Sequence, residues 1–228
     1  MREIANINSY PTLHGLFISG YEDLGGGVFD ESKTAKEALV LMAVGMKSKW
    51  KMPISYHLTK GCNAETQKTL IMHAIEALEE QQIHVRVVTC DGCATNLATA
   101  RQLGCNTEEN DFRFTFEGRK IYVALDACHM IKVLRNLFAD LFILNTPDGK
   151  VQWQHIKDLV AVQEKGQLHL GNKLTKHHIN YKTQIMKVKL AVQVISQSTA
   201  DALTTLRESG YYTEFKNSTP TTLFLKVS

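Results

Sequence analysis

Residues 83–96, IHVRVVTCDGCATN, constrain this chain more than any other stretch. Ile83, Val85 and Val87 alternate with His84, Arg86 and Val88, the period-two signature of a mostly buried strand. The run stops at the turn dipeptide Asp91-Gly92, and a helical pattern opens near Thr95. A carboxylate at the carboxyl end of a buried strand, just before a helix, stands where open α/β sheets place their chemistry. Asp91 is therefore the first candidate for a catalytic, metal-holding residue. The competing reading makes it only a cap for the helix that follows.

A chain of 228 residues can bury one good core or two small ones. Its apolar fraction of 44% and charged fraction of 21% are those of an ordinary globular protein, and no apolar run approaches a membrane span. The first thirty residues lack the charged-then-apolar pattern of a signal peptide. Cys62, Cys90, Cys93, Cys105 and Cys128 are too few and too irregular for a secreted disulfide framework, so reduced thiols are expected. The net charge is only +3, but it is unevenly spread. Residues 165–200 carry Lys165, Lys173, Lys176, Lys182, Lys187 and Lys189 with no Asp or Glu. A block of one sign points to an anionic partner, phosphate or nucleic acid; the alternative is a solvated helix face.

Along the chain, residues 1–15 show no clear start, as though entering in the middle of an element. Strands are expected at 16–21, at 38–46 (buried on both faces) and at 54–58. The period then changes. After Asn63, a plausible N-cap, Leu70, Ile71, Ala74, Ile75 and Leu78 line one face of a helix, with Glu76, Glu79 and Glu80 on the other. The strand 83–90 follows, then a short helix through Leu97, Ala100 and Leu103 stopped by Gly104. Residues 112–116 and 120–125 read as two strands joined through Glu117-Gly118. Beyond Asp126, Met130, Val133, Leu134, Leu137, Phe138 and Leu141 recur at helical spacing, and 145–149 is a loop. The remainder reads as helices at 151–164, 179–195 and 199–208. Consecutive strands ahead of the first helix predict a mixed sheet, not a simple Rossmann alternation. The change near residue 130 divides the chain into 1–130, α/β, and 131–228, mainly α-helical.

These motifs, in this order, resemble a known family. Cys90-Asp91-Gly92-Cys93-Ala94-Thr95-Asn96, followed by Leu103-Gly104, is similar to the S-D-x-x-x-x-N…L-G segment of P-element transposases and of related THAP domain-containing proteins. Residues 126–136, DACHMIKVLRN, resemble the family's D-x-x-H-L-I-K-x-x-R-N, and residues 17–26 with Trp50…Pro53-Ile54 also fit. The resemblance implies an RNase H-like mixed sheet with helices, incomplete in its first strand, followed by the first part of a helical GTP-binding insertion. It implies a DNA transposase acting by cut-and-paste at transposon ends, in the nucleus and off any membrane, with Mg²⁺ and GTP as cofactors.

In that family three carboxylates hold two Mg²⁺ ions, and such a pair about 4 Å apart clamps the attacking and leaving oxygens. Asp91 matches the second carboxylate. The first falls at or just before Met1 and the third beyond Ser228, so the expectation is of a fragment keeping one ligand of three. Asp126 and Glu3 are poor substitutes, one belonging to another motif and the other out of register. The insertion's F-K-x-x-x-x-H-I-N and K-V-K-L-A-x-x-x-x-S patterns are matched by residues 172–180 and 187–196. By that resemblance Lys173, Lys187, Val188 and Ser196 surround the nucleotide, the lysines meeting phosphates and Ser196 donating a hydrogen bond. An acidic family residue nearby is replaced by Gln167, and no P-loop sequence is present.

Other readings compete. Cys90-x-x-Cys93 between a strand and a helix invites thioredoxin-type redox chemistry, but no aromatic precedes the first cysteine and the Asp-Gly spacer follows the strand at once. A zinc site from Cys90, Cys93, Cys128 and His129 would join two distant segments without a second C-x-x-C. His177 and His178 are adjacent and cannot share a helix face as ligands. At the level of function, the alternative to a transposase is a domesticated, catalytically dead protein that binds nucleotide or DNA, or self-associates.

Overall fold

The computed structural model describes residues 6–8, 20–25 and 29–226, and the chain divides into two compact units, Met1–Asp126 and Ala127–Ser228. No helix among the described residues is long and apolar enough to cross a membrane.

The first unit is organised on β4 (Glu37–Val44), where Leu39, Leu41 and Ala43 are buried while Val40, Met42 and Val44 are half-covered. One face of this strand is closed and the other only partly, short of the two-sided burial expected. β4 pairs antiparallel with β5 (Lys51–Thr59) and with β1 (Asn6–Asn8). β1 then runs parallel to β6 (Val87–Cys90), and β6 parallel to β8 (Arg119–Leu125). β7 (Arg113–Phe116) closes that side against β8; on the other side β2 (Tyr21–Asp23) joins β5, and β3 (Phe29–Thr34) joins β2. Among the described residues the sheet order is β3-β2-β5-β4-β1-β6-β8-β7. Residues 16–19 of the strand expected at 16–21 lie outside the described residues. β3 escaped the sequence reading because FDESKT is polar, as an edge strand tolerates.

Helix α1 (Ala64–Glu80) starts as its sequence dictates: the Asn63 side chain accepts from the Thr66 N–H at 2.8 Å. Its Leu70, Ile71, Ile75 and Leu78 pack with Leu41, Val88, Ile121 and Phe114 in one core. Helix α2 (Ala94–Leu103) ends at Gly104, whose φ of 113° is a left-handed conformation that glycine adopts without strain. The strand read at 83–90 is shorter than its pattern. The Ile83 N–H bonds to the Leu78 carbonyl and the Val85 N–H to the Glu79 carboxylate, so the chain is tied to the end of α1 before β6 begins.

The second unit contains α3 (Ala127–Leu141), a hairpin of β9 (Ile143–Thr146) and β10 (Gly149–Gln152), and α4 (Trp153–Gly166), α5 (Lys176–Ile179), α6 (Val188–Val194), α7 (Gln197–Ser209) and α8 (Thr219–Lys226). Phe138, Trp153, Ile156, Leu159, Leu203, Phe215 and Leu225 form its core. Three expectations change here. The loop at 145–149 is the turn of a hairpin, and α4 begins at Trp153, after β10 has used Val151 and Gln152. Residues 179–195 do not form one helix, because fully buried Arg135 takes the main-chain carbonyl of Gln184 at 3.0 Å. A carbonyl held by a tertiary donor is lost to the helical ladder, and the chain restarts as α6 at Val188.

Candidate functional site

Asp91 directly follows Cys90, the last residue of β6. Cys90 stands in register with Leu125 of β8, and the Asp126 N–H donates to the Cys90 carbonyl at 2.8 Å. Asp91 and Asp126 therefore leave neighbouring parallel strands side by side at their carboxyl ends. Asp91 Oδ1 accepts from the Cys93 N–H at 3.0 Å and from Asn96 Nδ2 at 2.8 Å. The N-cap of α2 is Cys93, so Asp91 belongs to the turn before the helix and is not its cap.

Burial disfavours the thiolate form of both cysteines beside it. Burial, reinforced by the nearby Asp91 charge, pushes the Cys90 thiol up to about 12, and burial also raises Cys93. A redox or nucleophilic cysteine needs the opposite shift. Among the described residues no three His, Cys, Asp or Glu side chains converge to hold a metal ion. The described part of the strand end therefore does not by itself fit a Mg²⁺ pair.

In the second unit Lys173 is exposed on a loop that buried side chains shape from below. Gln163 Oε1 accepts from the Leu170 N–H at 3.0 Å and from Asn172 Nδ2 at 2.7 Å, while Asn172 Oδ1 accepts from the Leu174 N–H at 3.0 Å. His178 is buried and accepts from the Thr175 N–H through Nδ1 at 3.0 Å. Its Nε2 therefore carries the proton and donates to Gln193 Oε1 at 3.0 Å, joining α5 to α6. Exposed Lys187 is the residue before α6, and half-buried Val188 is its first. Ser196 caps α7: its Oγ accepts from the Thr199 N–H at 3.3 Å and lies 3.0 Å from the Gln193 carbonyl. That hydroxyl is occupied by the α6–α7 corner, whereas both lysines project into solvent. Gln167 sits exposed at the end of α4.

The sequence reading passed over Arg135 and Asn136, although both lie in the quoted motif. Arg135 Nε donates to Asn136 Oδ1 at 2.7 Å and its guanidinium lies 5.9 Å from the Tyr181 ring centroid. Asn136 Nδ2 reaches the Ile185 carbonyl at 3.3 Å. Together they fasten the segment that leads to Lys187. Helical periodicity marks apolar positions, so a buried arginine gives no signal of its own.

A mixed sheet with a strand-end aspartate, followed by a helical unit with a basic loop, defines a two-part architecture that known proteins share. Residues 14–104 match the family described as TNP-like, RNase H N-terminal domain, and residues 128–228 the one described as TNP-like, GTP-binding insertion domain. The chain is 31% identical over 200 residues to DNA transposase THAP9 of Homo sapiens, covering 85% of this chain and 22% of that protein. It is 26% identical over 210 residues to the Transposable element P transposase of Drosophila melanogaster, covering 91% of this chain and 26% of that protein. The solved Drosophila P element transposase strand transfer complex shares the fold, with a TM-score of 0.76 at 21% identity over 98% of this chain and 48% of that one. The chain belongs to the P-element transposase-like family, with an RNase H-like part followed by an insertion domain of the GTP-binding type. It spans about a quarter, or less, of the length of the curated relatives it matches.

Proposed function

We propose that this chain is part of a DNA transposase, contributing Asp91 to the cutting centre and a nucleotide-binding surface from its insertion domain. The observation that carries the reading is the place of Asp91, at the carboxyl end of β6 within the parallel trio β1-β6-β8. Its partner is DNA at transposon ends, which implies action in the nucleus. GTP is the nucleotide: Lys173 and Lys187 meet its phosphates as mobile point charges, and Val188 and Ser196 lie against it. Ser196, already capping α7, acts chiefly by shaping the corner.

A second reading is favoured by a specific observation, the lack of a three-residue metal cluster among the described residues. On that reading the chain alone binds nucleotide or DNA without cutting. One experiment bears on both. Incubated with transposon-end DNA and Mg²⁺ or Mn²⁺, the isolated chain is expected to cut nothing, since a two-ion centre needs several convergent ligands and the described residues bring no three together. Metal-dependent cleavage that disappears in Asp91→Ala would establish a complete centre in this chain. Titration with a fluorescent GTP analogue tests the insertion: binding that weakens in Lys173→Ala and Lys187→Ala supports the assignment, and unchanged binding refutes it.

A further inference from the structure

The carboxylate of Asp91 is held by Asn96, and Asn96 is itself held. Asn96 Oδ1 accepts from Gln67 Nε2 at 2.6 Å, and Gln67 Oε1 lies 2.6 Å from Thr99 Oγ1. Gln67 belongs to α1 and is only 6% exposed, on the face that also buries Leu70 and Ile71. An amide on such a face needs partners to offset its desolvation, and both of its ends have one.

The polarity of this chain of bonds is dictated from the Asp91 end. An ionised carboxylate only accepts, so Asn96 must turn its Nδ2 to it and its Oδ1 to Gln67. Gln67 must then offer Nε2 to Asn96 and Oε1 to Thr99, whose hydroxyl completes the sequence as donor. Each amide has one orientation that satisfies both neighbours, and the geometry has that orientation.

We propose that Gln67 is a positioning residue for Asp91, acting through Asn96: a polar relay from the α1–α2 seam sets the rotation of the strand-end carboxylate. Its functional weight rests on the assignment of Asp91 to the cutting centre. The relay links the packing of α1 to the aim of a carboxylate that Gln67 itself does not touch.

The test is a double-mutant cycle in urea unfolding of the purified chain at neutral pH. Gln67→Glu can only accept; it takes the Asn96 amide hydrogens and turns Asn96 Oδ1 toward the Asp91 carboxylate, an acceptor facing an acceptor. Asp91→Asn supplies a donor at that end, so it restores stability in the Gln67→Glu background and restores none in the Gln67→Leu background. Changes in packing alone leave the substitutions additive, and additivity in both backgrounds overturns the proposal. Should the Gln67 variants fail to fold, Asp91→Asn alone decides: it relaxes the polarity requirement, so the Gln67 side-chain amide resonances must shift, and their staying in place overturns the relay. These outcomes are separate from the assignment of Asp91. A transposase that keeps cutting DNA with Asp91→Ala would remove the functional reading while leaving the coupling intact.

Discussion

At the scale of single residues, several side chains have one task each. The Asn63 cap is the simplest, one oxygen meeting one orphan N–H of α1. Asn63→Ala is expected to lower stability in urea unfolding by about 1 kcal/mol. Gly45 is constrained by space: an added Cβ would lie 2.5 Å from both the Ser48 carbonyl and Trp50 Nε1. Gly45→Ala should therefore cost roughly 1–3 kcal/mol, because the turn between β4 and β5 must open to admit it. Glu79 carries a pH dependence. Burial raises its carboxyl, but hydrogen bonds from Arg119 and His84 outweigh this and hold it below the usual carboxylate range. A depressed carboxylate stabilises the fold above its unfolded pKa, and that stability is lost as pH falls through the folded value. Stability should drop from the ordinary Glu range near pH 4.5 downwards, and Glu79→Gln should flatten the decline; an unchanged acid limb would sink this account.

Elements are decided by competition for main-chain groups. Residues 179–195 have the apolar content of a helix, but Arg135 and Asn136 claim the carbonyls of Gln184 and Ile185. Arg135→Met would fill the same space while leaving the Gln184 carbonyl without its donor. Such a loss costs about 1–3 kcal/mol, and the amides of α6 should exchange faster. Slower or unchanged exchange there would show that the break in the helix has another cause. The same competition explains residues 83–86, where the N–H groups of Ile83 and Val85 serve the end of α1 before the ladder of β6 begins. Helix periods were readable at Leu70 and Phe138, where burial follows the pattern, whereas β6 buries Val88 and Cys90 and leaves Val87 half-covered, the opposite phase to the alternation read from the sequence. Periodicity was silent at β3, whose polar residues sit at a sheet edge, and at Gln67 and Arg135, polar groups whose partners come from distant positions. The place of Asp91 at a strand end was legible; what holds it there was not.

Over the whole molecule, each unit carries its own apolar cluster, one around Leu41, Ile71 and Ile121 and one around Trp153, Phe138 and Leu203. Two thermal transitions are therefore expected in calorimetry. Trp153→Ala, at a site 2% exposed, should shift one of them by an amount equivalent to roughly 3–5 kcal/mol and leave the other in place. A single transition moving as a whole would show one cooperative unit. The lysines of the second unit add a charge dependence: binding of DNA should fall steeply between low and physiological salt as counterions are released, and a flat response would leave them as solvated surface. The burial of Cys90 has a practical side as well. With Cys90 and Cys105 closed off and Cys93 and Cys128 exposed, an alkylating dye sorts the thiols by access. Cys93 lies two residues from Asp91, so with Cys128 and the half-buried Cys62 replaced, a probe attached there would turn the strand end into its own fluorescent gauge.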